Sequence, residues 1–148
     1  MKKIVIASAI ALAATAASAV EVGVTGTHDV NANRNSVGVT VGNKYGPVGV
    51  TAGFDRTTAG DVDQNRYSLV GSYDVVKLGT ATVDVRAGLG YVDNSGGPDG
   101  YVKLVGVGVT VPVTKTVSAV TDVTRQYGQD RVEQHDGNRI TVGVKYKF

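Results

Sequence analysis

The chain contains no cysteine and no tryptophan, and only 3 of its 148 residues are proline. Without cysteine it forms no disulfide, holds no thiolate-bound metal and has no cysteine nucleophile. It also lacks an apolar run of the roughly 20 residues that a membrane-spanning helix needs, and helical periodicity is absent after residue 19. These absences exclude a disulfide scaffold, a thiol enzyme and a helical membrane protein.

Charge of one sign is not in excess either. The chain has 15 Lys and Arg against 13 Asp and Glu, and Lys2 and Lys3 lie at its N-terminus. The rest of the chain therefore carries equal numbers of both signs. Nucleic-acid binding requires a basic face that displaces counterions from phosphates, so we expect no nucleic-acid partner.

The first 19 residues have the three regions of a secretory signal peptide. Lys2 and Lys3 give a positive start, residues 4–14 are apolar, and residues 17–19 are small. A lone membrane anchor is the alternative, but the apolar run is too short to span a bilayer. We predict a cleaved signal peptide over 1–19 and one domain over 20–148.

From residue 20 onward, apolar residues alternate with glycine, threonine, serine or charged residues. This period of two is typical of a β-strand with two different faces. Eight such segments follow one another. The last is the most regular, with Ile140, Val142, Val144, Tyr146 and Phe148 alternating with Arg139, Thr141, Gly143, Lys145 and Lys147.

The connections between these segments alternate in length. Short ones lie near 46–47, 77–79 and 112–115, and long polar ones over 29–35, 56–65, 92–100 and 128–138. Outer-membrane barrels combine tight periplasmic turns with longer outside loops. A sheet in lipid must also close, because an open edge would leave backbone amides unpaired. The sequence therefore predicts an all-β, eight-stranded, antiparallel up-and-down transmembrane β-barrel.

All nine aromatic residues share the parity of the apolar face. If the first strand runs outward, one row falls at the periplasmic ends of the strands and a second row at the outside ends. The first row is Tyr45, Tyr73, Tyr146 and Phe148, and the second is Phe54, Tyr67, Tyr91, Tyr101 and Tyr127. Two aromatic girdles around an apolar band match the two interfaces of a bilayer. The face of glycine and charge must then point inward.

The alternation that ends at Phe148 resembles the C-terminal strand that the barrel-assembly machinery of outer-membrane proteins recognises. In architecture the chain resembles the small eight-stranded outer-membrane barrels, namely OmpX and Ail, the OmpA transmembrane domain and the opacity-type proteins. The resemblance implies a porin-like monomer without a cofactor in the outer membrane of a Gram-negative bacterium. Its partners would be membrane lipid, lipopolysaccharide and, during biogenesis, the assembly machinery.

The inward face carries charges of both signs. The acids are Glu21, Asp55, Asp74, Asp84 and Asp122, and the bases are Lys44, Arg66, Arg86, Arg139, Lys145 and Lys147. Counting from the turns brings Asp84, Arg86 and Asp122 together at mid-depth. Paired charges in a narrow interior are structural in the simplest interpretation, because an unpaired buried charge is costly. The alternative is a charged constriction that gates a thin water path.

Two further pairs follow from the same count. Glu21 falls beside Lys145 or Lys147 across the seam between the first and last strands. Asp55 falls near Arg66 at the outer mouth.

Glycine is the commonest residue of the inward face. These glycines are Gly23, Gly38, Gly42, Gly49, Gly53, Gly88, Gly90, Gly106, Gly108 and Gly143. They relieve crowding on a strongly curved wall, or they leave room for water. We favour crowding.

Lys103 and Arg125 interrupt the apolar face. Both fall toward the outside ends, beside Tyr101 and Tyr127, where a cation reaches the headgroup layer at little cost. They are candidate contacts for lipopolysaccharide phosphates. Simple snorkelling of two exposed cations is the alternative.

His28 and His135 each precede an aspartate in a predicted outside connection. Two such pairs form a zinc site if the loops meet, whereas loop His-Asp pairs are ordinarily solvated surface. Nucleophilic catalysis, as in the lipid A-modifying enzymes among eight-stranded barrels, needs a serine beside a histidine. Neither histidine has such a serine nearby in the sequence, so we predict no catalytic residue and no metal site.

The sequence therefore favours a non-enzymatic outer-membrane barrel with a structural or cell-surface interaction role. A narrow passive channel for ions or small solutes is the main alternative. A lipid A-modifying enzyme is the second.

Overall fold

The computed structural model describes residues 20–59, 62–95, 97–128 and 136–148, and their regular secondary structure is entirely strand. The strands are β1 (Val20–Asp29), β2 (Arg34–Tyr45), β3 (Val48–Ala59), β4 (Val62–Leu78), β5 (Ala81–Asn94), β6 (Gly100–Pro112), β7 (Val117–Gly128) and β8 (Gly137–Lys147). No helix among these residues has the length and apolar character needed to cross a membrane. The predicted signal peptide over 1–19 lies outside the described residues and stays a prediction.

The eight strands form one closed sheet. Each strand pairs antiparallel with the next, and β1 also pairs with β8. The closing register runs from Glu21 opposite Lys147 to Asp29 opposite Arg139. Closure leaves no free sheet edge, which is the condition for placing a sheet in lipid. The predicted fold class is therefore confirmed.

The two ends of the barrel differ. At one end, called the turn end, residues 46–47, 79–80 and 113–116 join the strands. Gly46 (φ 59°) and Gly79 (φ 63°) adopt the left-handed backbone that these tight turns use and that favours glycine. The opposite end, called the loop end, holds the connections after β1, β3, β5 and β7.

The loop-end connections are shorter than the sequence predicts. Residues 56–59 and 62–65, expected in a loop, continue β3 and β4 as a paired ladder. Arg56 Nη2 donates to Asp63 Oδ2 at 2.7 Å across this ladder. The prediction is wrong here because residues with polar side chains still pair their backbones in a hairpin that extends beyond the apolar band. The strands therefore run from 10 to 17 residues, and all except β1 and β8 exceed the roughly 9–11 that span a bilayer.

The pairing of β4 with β5 is interrupted once. The register shifts between Asp74 and Val76, which leaves one extra residue on β4. Such a β-bulge strengthens the local twist. Asp74 keeps its inward direction, and both Val75 and Val76 are exposed.

The barrel places its side chains in the opposite way to a soluble protein, with apolar residues outside and polar residues inside. Large apolar residues on the outer wall are exposed, for example Val24 at 65% and Leu89 at 59%. Among the described residues the buried apolar side chains are Val92, Val102, Leu104 and Val120, while nine polar or charged residues are buried. The lumen is therefore largely polar and the outer wall apolar.

Candidate functional site in the barrel interior

The centre of the lumen holds an arginine between two aspartates, here called the central triad: Asp84, Arg86 and Asp122. Arg86 Nε donates to Asp84 Oδ1 at 2.5 Å, and its Nη1 donates to Asp122 Oδ2 at 2.6 Å. Asp84 and Arg86 lie two residues apart on β5, so both point inward. Asp122 comes from β7 and also accepts Thr124 Oγ1 at 3.0 Å. The structure thus brings together the three residues that counting from the turns places at mid-depth.

Two ion pairs lie closer to the turn end. Lys44 Nζ is 2.7 Å from an oxygen of Asp74, a pairing that the sequence did not predict. Lys145 Nζ is 3.6 Å from Glu21 Oε2 across the β1–β8 seam. Of the two lysines expected beside Glu21, Lys145 is the one in contact, and Lys147 is exposed at the mouth.

Nearer the loop end, two arginines converge on one carboxylate. We call Asp55, Arg66 and Arg139 the loop-end triad. Arg66 Nη1 lies 3.7 Å from Asp55 Oδ1, and Arg139 Nη2 donates to the same oxygen. Ser36 Oγ donates to it as well, at 3.4 Å. The expected proximity of Asp55 and Arg66 is present, whereas the contact with Arg139 was missed because β8 and β3 are separated by β1 and β2.

An apolar cluster fills one side of the lumen toward the loop end. Val92 and Val102 are fully buried and pack with Leu104, and Val70 packs against them. Gln126 beyond them is also fully buried. The sequence signal for this cluster is the inward parity of Val102 and Leu104, which the expectation of a polar inward face overlooked.

A cavity of about 160 Å³ runs between the charged groups. Its lining includes the whole central triad, Asp55 and Arg139 of the loop-end triad, the two turn-end ion pairs and a set of hydroxyls. These hydroxyls belong to Thr25, Thr27, Thr40, Thr51, Ser68, Ser72, Thr110, Thr124 and Thr141. One ordered water needs roughly 10–15 Å³ of such space and two to four polar partners, so the cavity can hold several waters.

Five of the ten inward glycines mark close approaches of a neighbouring backbone, namely Gly38, Gly42, Gly88, Gly106 and Gly143. A Cβ at Gly38 would lie 2.7 Å from the carbonyl oxygen of Phe54, and one at Gly42 would lie 2.9 Å from that of Val50. A Cβ at Gly106 or Gly143 would overlap a neighbouring backbone carbonyl in the same way. At these positions the missing side chain leaves room for backbone, as the crowding interpretation expects, whereas Gly49 and Gly53 line the cavity and face serine hydroxyls.

The aromatic residues form the two expected rows on the outer wall. Phe54, Tyr67, Tyr91 and Tyr101 are direct register partners across β3 to β6, and Tyr127 continues the row on β7. Ring centroids lie 5.2 Å apart both for Phe54 with Tyr67 and for Tyr91 with Tyr101. The turn-end row comprises Tyr45, Tyr73, Tyr146 and Phe148, and the rings of Tyr146 and Phe148 lie 4.8 Å apart.

Lys103 and Arg125 are exposed on the outer wall near the loop-end row. The guanidinium carbon of Arg125 lies 5.6 Å from the ring centroid of Tyr127, a cation–π distance. Arg125 Nη1 also donates to Asn138 Oδ1 at 3.3 Å. Lys103 is the register partner of Tyr127. Two cations therefore flank one tyrosine on neighbouring strands.

The described histidine, His28, does not belong to a metal site formed by described residues. His28 Nδ1 lies 2.8 Å from Asn35 Oδ1, and His135 lies outside the described residues. Within the described part of the chain, no three His, Asp or Glu side chains are grouped to hold a metal ion. A zinc site involving His135 stays an alternative without a test.

A closed eight-stranded barrel with an apolar outer wall, two aromatic girdles and a charged lumen is the architecture of a transmembrane β-barrel. No protein-family model matches the sequence, and no curated protein matches it. Solved structures do match, and three small barrels illustrate the likeness.

The N-terminal β-barrel domain of Pseudomonas aeruginosa OprF superposes with a TM-score of 0.73 at 20% identity, over 88% of this chain and 98% of that domain. The outer membrane protein Ail of Yersinia pestis gives 0.56 at 14% identity, over 88% and 99% of the two chains. Neisserial surface protein A gives 0.56 at 16% identity, over 88% and 95%. The chain therefore has the fold of the small eight-stranded outer-membrane barrels.

Proposed function

We propose that the protein is a non-enzymatic barrel of the outer membrane of a Gram-negative bacterium, with a structural or cell-surface interaction role. The observation that carries this proposal is the reversed distribution of side chains on a closed wall. Exposed valine and leucine surround the barrel between two aromatic rows, while charged residues pair inside. Such a wall is favourable against lipid and unfavourable against water. The turn end then faces the periplasm and the loop end faces outward.

The pairing inside the lumen supports a structural role for its charges. Within the central triad, Arg86 contacts both carboxylates, and Lys44 contacts Asp74. Charges that neutralise one another in this way link β5 to β7 and β2 to β4, each across an intervening strand, rather than remain available for chemistry. Nucleophilic catalysis would need a base beside a hydroxyl, and the described histidine, His28, contacts an asparagine instead.

The proposed partners are outer-membrane lipid and lipopolysaccharide around the wall. Lys103 and Arg125 lie beside the outer aromatic row, where headgroup phosphates would meet them. During biogenesis the barrel-assembly machinery would bind the last strand through Ile140, Val142, Val144, Tyr146 and Phe148. The closed sheet leaves no strand edge for a second copy, which favours a monomer.

Expression in a Gram-negative host followed by membrane fractionation tests the proposal. The expected result is a protein in the outer-membrane fraction that migrates faster on a gel before heating than after, because a folded barrel resists detergent. Recovery of folded protein in the soluble periplasmic fraction would contradict it. A changed lipid A mass spectrum on expression would favour the enzymatic alternative.

A narrow channel is the second candidate, and the cavity of about 160 Å³ beside the central triad favours it. A charged constriction of this kind admits water and small ions when its ion pairs rearrange. Conductance of the refolded protein in a planar bilayer, compared with the Arg86→Ala variant, decides between the two functions. Reproducible conductance steps whose size changes in the variant would indicate a pore. A silent bilayer with a correctly folded protein would indicate a closed barrel.

A further inference from the structure

The loop-end triad has more positive than negative charge. Asp55 contacts both Arg66 and Arg139 through the same oxygen, Oδ1. The side chains of the two arginines are only 6% and 10% exposed. One carboxylate therefore faces two buried guanidinium groups, and one of these positive charges has no counter-charge within the triad.

The described residues at the rim of the loop end do not balance the two arginines. Asp29 and Arg34 have inward parity and are register partners, and the charge of Asp29 also acts on Arg66, so that this one carboxylate is shared between two arginines. Asp29 Oδ1 accepts the backbone amides of Asn31 and Ala32, at 3.2 and 3.1 Å. With this pair included, three arginines still face two aspartates. A buried charge without a partner is costly, since the low-dielectric interior does not solvate it.

Two donor atoms of the triad are also without partners. The Nε atoms of Arg66 and Arg139 are buried and have no hydrogen-bond acceptor among the described residues. Buried N–H groups of charged side chains are ordinarily satisfied by protein, water or a bound ion. The unused donors therefore coincide with the excess positive charge.

Space and further donors lie beside the triad. Arg139 and Asp55 line the central cavity together with Thr25, Thr27 and Thr141. The hydroxyls of Thr27 and Thr141 lie 3.2 Å apart and share one hydrogen bond. Only one of the two donates in this bond, so the hydrogen of the other hydroxyl can be donated to a further acceptor. Guanidinium and hydroxyl donors around a polar cavity are the chemistry that holds a small anion.

We propose that the loop-end half of this cavity is a binding site for a small inorganic anion of the size of chloride, held by Arg139 with the threonine hydroxyls. The anion supplies the negative charge that Arg66 and Arg139 together lack. The central triad could instead compensate this positive charge, because its two aspartates and one arginine leave an excess of one negative charge. The competing explanation requires no bound ion, and the two therefore make different predictions about anion dependence.

The test is urea unfolding of the refolded barrel in zwitterionic detergent, followed by its heat-dependent gel shift. Sodium gluconate, whose anion is much larger than chloride, is replaced by sodium chloride at constant ionic strength. At about 0.2 M chloride we expect the unfolding equilibrium constant to fall about fivefold, which corresponds to a dissociation constant of about 50 mM. Arg139→Gln removes the excess charge and should abolish this dependence.

Arg56→Gln is the matched control, because Arg56 is an exposed arginine in an ion pair outside the lumen. It should keep the full chloride dependence. An equal dependence in all three proteins would indicate a surface salt effect and overturn the proposal. Because Arg139→Gln could fail to fold, bromide-soaked crystals of the unaltered protein give a second measurement. An anomalous peak beside Arg139 supports the site, and its absence overturns it.

Discussion

The guanidinium group of Arg86 lies directly over Gly108, in the space that a Cβ at residue 108 would occupy. Gly108 on β6 is the register partner of Asp84 on β5 and of Asp122 on β7. Arg86 can therefore cross β6 and reach both carboxylates only because residue 108 has no side chain. The central triad depends on a glycine that forms none of its side-chain hydrogen bonds.

Replacing this glycine should disrupt the triad without removing any of its members. In Gly108→Ala the new methyl group displaces the guanidinium, so that Arg86 gives up at least one carboxylate. We expect a loss of about 2 kcal/mol in the free energy of unfolding, since a charged hydrogen bond is worth roughly that much and the released carboxylate stays buried. Urea unfolding of the refolded barrel in lipid vesicles measures it.

Gly26→Ala is the control for this variant. Gly26 also lies within a strand, but a Cβ there would meet nothing within 4 Å. Since glycine inside a strand costs about 0.5–1 kcal/mol relative to alanine, this variant should be as stable as the unaltered protein or slightly more so. Equal losses in both variants would show that the backbone, and not the position of Arg86, determines the effect.

The alternation of the sequence sufficed to predict the closed barrel and the inward direction of charged side chains such as Asp84 and Arg86. Strand parity is a local property, so Asp84 and Arg86 could be assigned to one face from their spacing alone. Asp122 required only one more step, a count of residues from the nearest short turn. The two aromatic rows followed in the same way, from the parity and position of residues such as Tyr73 and Tyr101.

Contacts across the lumen could not be predicted in this way. The approach of Arg139 to Asp55 depends on the tilt of the strands and on the stagger accumulated around the barrel, which the period of the sequence does not determine. The cluster of Val92, Val102 and Leu104 has a different cause: it lies on the paired strands β5 and β6, and its inward parity was present in the sequence, but a polar inward face was expected. Strand ends were also misjudged, because the polar residues of 56–65 are compatible with either a loop or a hairpin.

Loss of the central arginine should be more damaging than loss of the whole triad. Arg86→Met leaves Asp84 and Asp122 buried without a counter-charge, and breaking a buried ion pair in this way costs about 3–5 kcal/mol. The triple variant Asp84→Asn, Arg86→Met, Asp122→Asn removes both signs together and should recover most of that loss. Urea midpoints of the two variants give the comparison. A triple variant as unstable as the single one would mean that packing, not charge, accounts for the loss.

The last aromatic residue should matter for assembly more than for stability. Phe148 is 74% exposed and contacts the ring of Tyr146, so Phe148→Ala removes little packing. If the last strand is the signal that the assembly machinery binds, this variant should fold normally from urea in vitro but accumulate severalfold less in the outer membrane. Pulse-labelled cells, scored for heat-modifiable protein, provide the measurement.

Tyr45→Ala is the matched control, because Tyr45 belongs to the same aromatic row and is 48% exposed, yet lies in β2. Its assembly should be close to that of the unaltered protein. A similar defect in both variants would attribute the effect to anchoring at the interface, and the C-terminal strand would have no special role.

The depth of a charge on the outer wall should determine its cost if this wall lies in a bilayer. Val107 is 49% exposed near the middle of β6, and Val113 is 65% exposed in the turn that follows this strand. In lipid vesicles Val107→Arg should lower the free energy of unfolding by about 2–4 kcal/mol, whereas Val113→Arg should cost about 0–1 kcal/mol, because only the first places a cation in hydrocarbon. Both variants add the same side chain at an exposed valine, so the difference in urea midpoint isolates depth. In water the two positions would be equivalent, and equal costs would therefore contradict a membrane location for the wall.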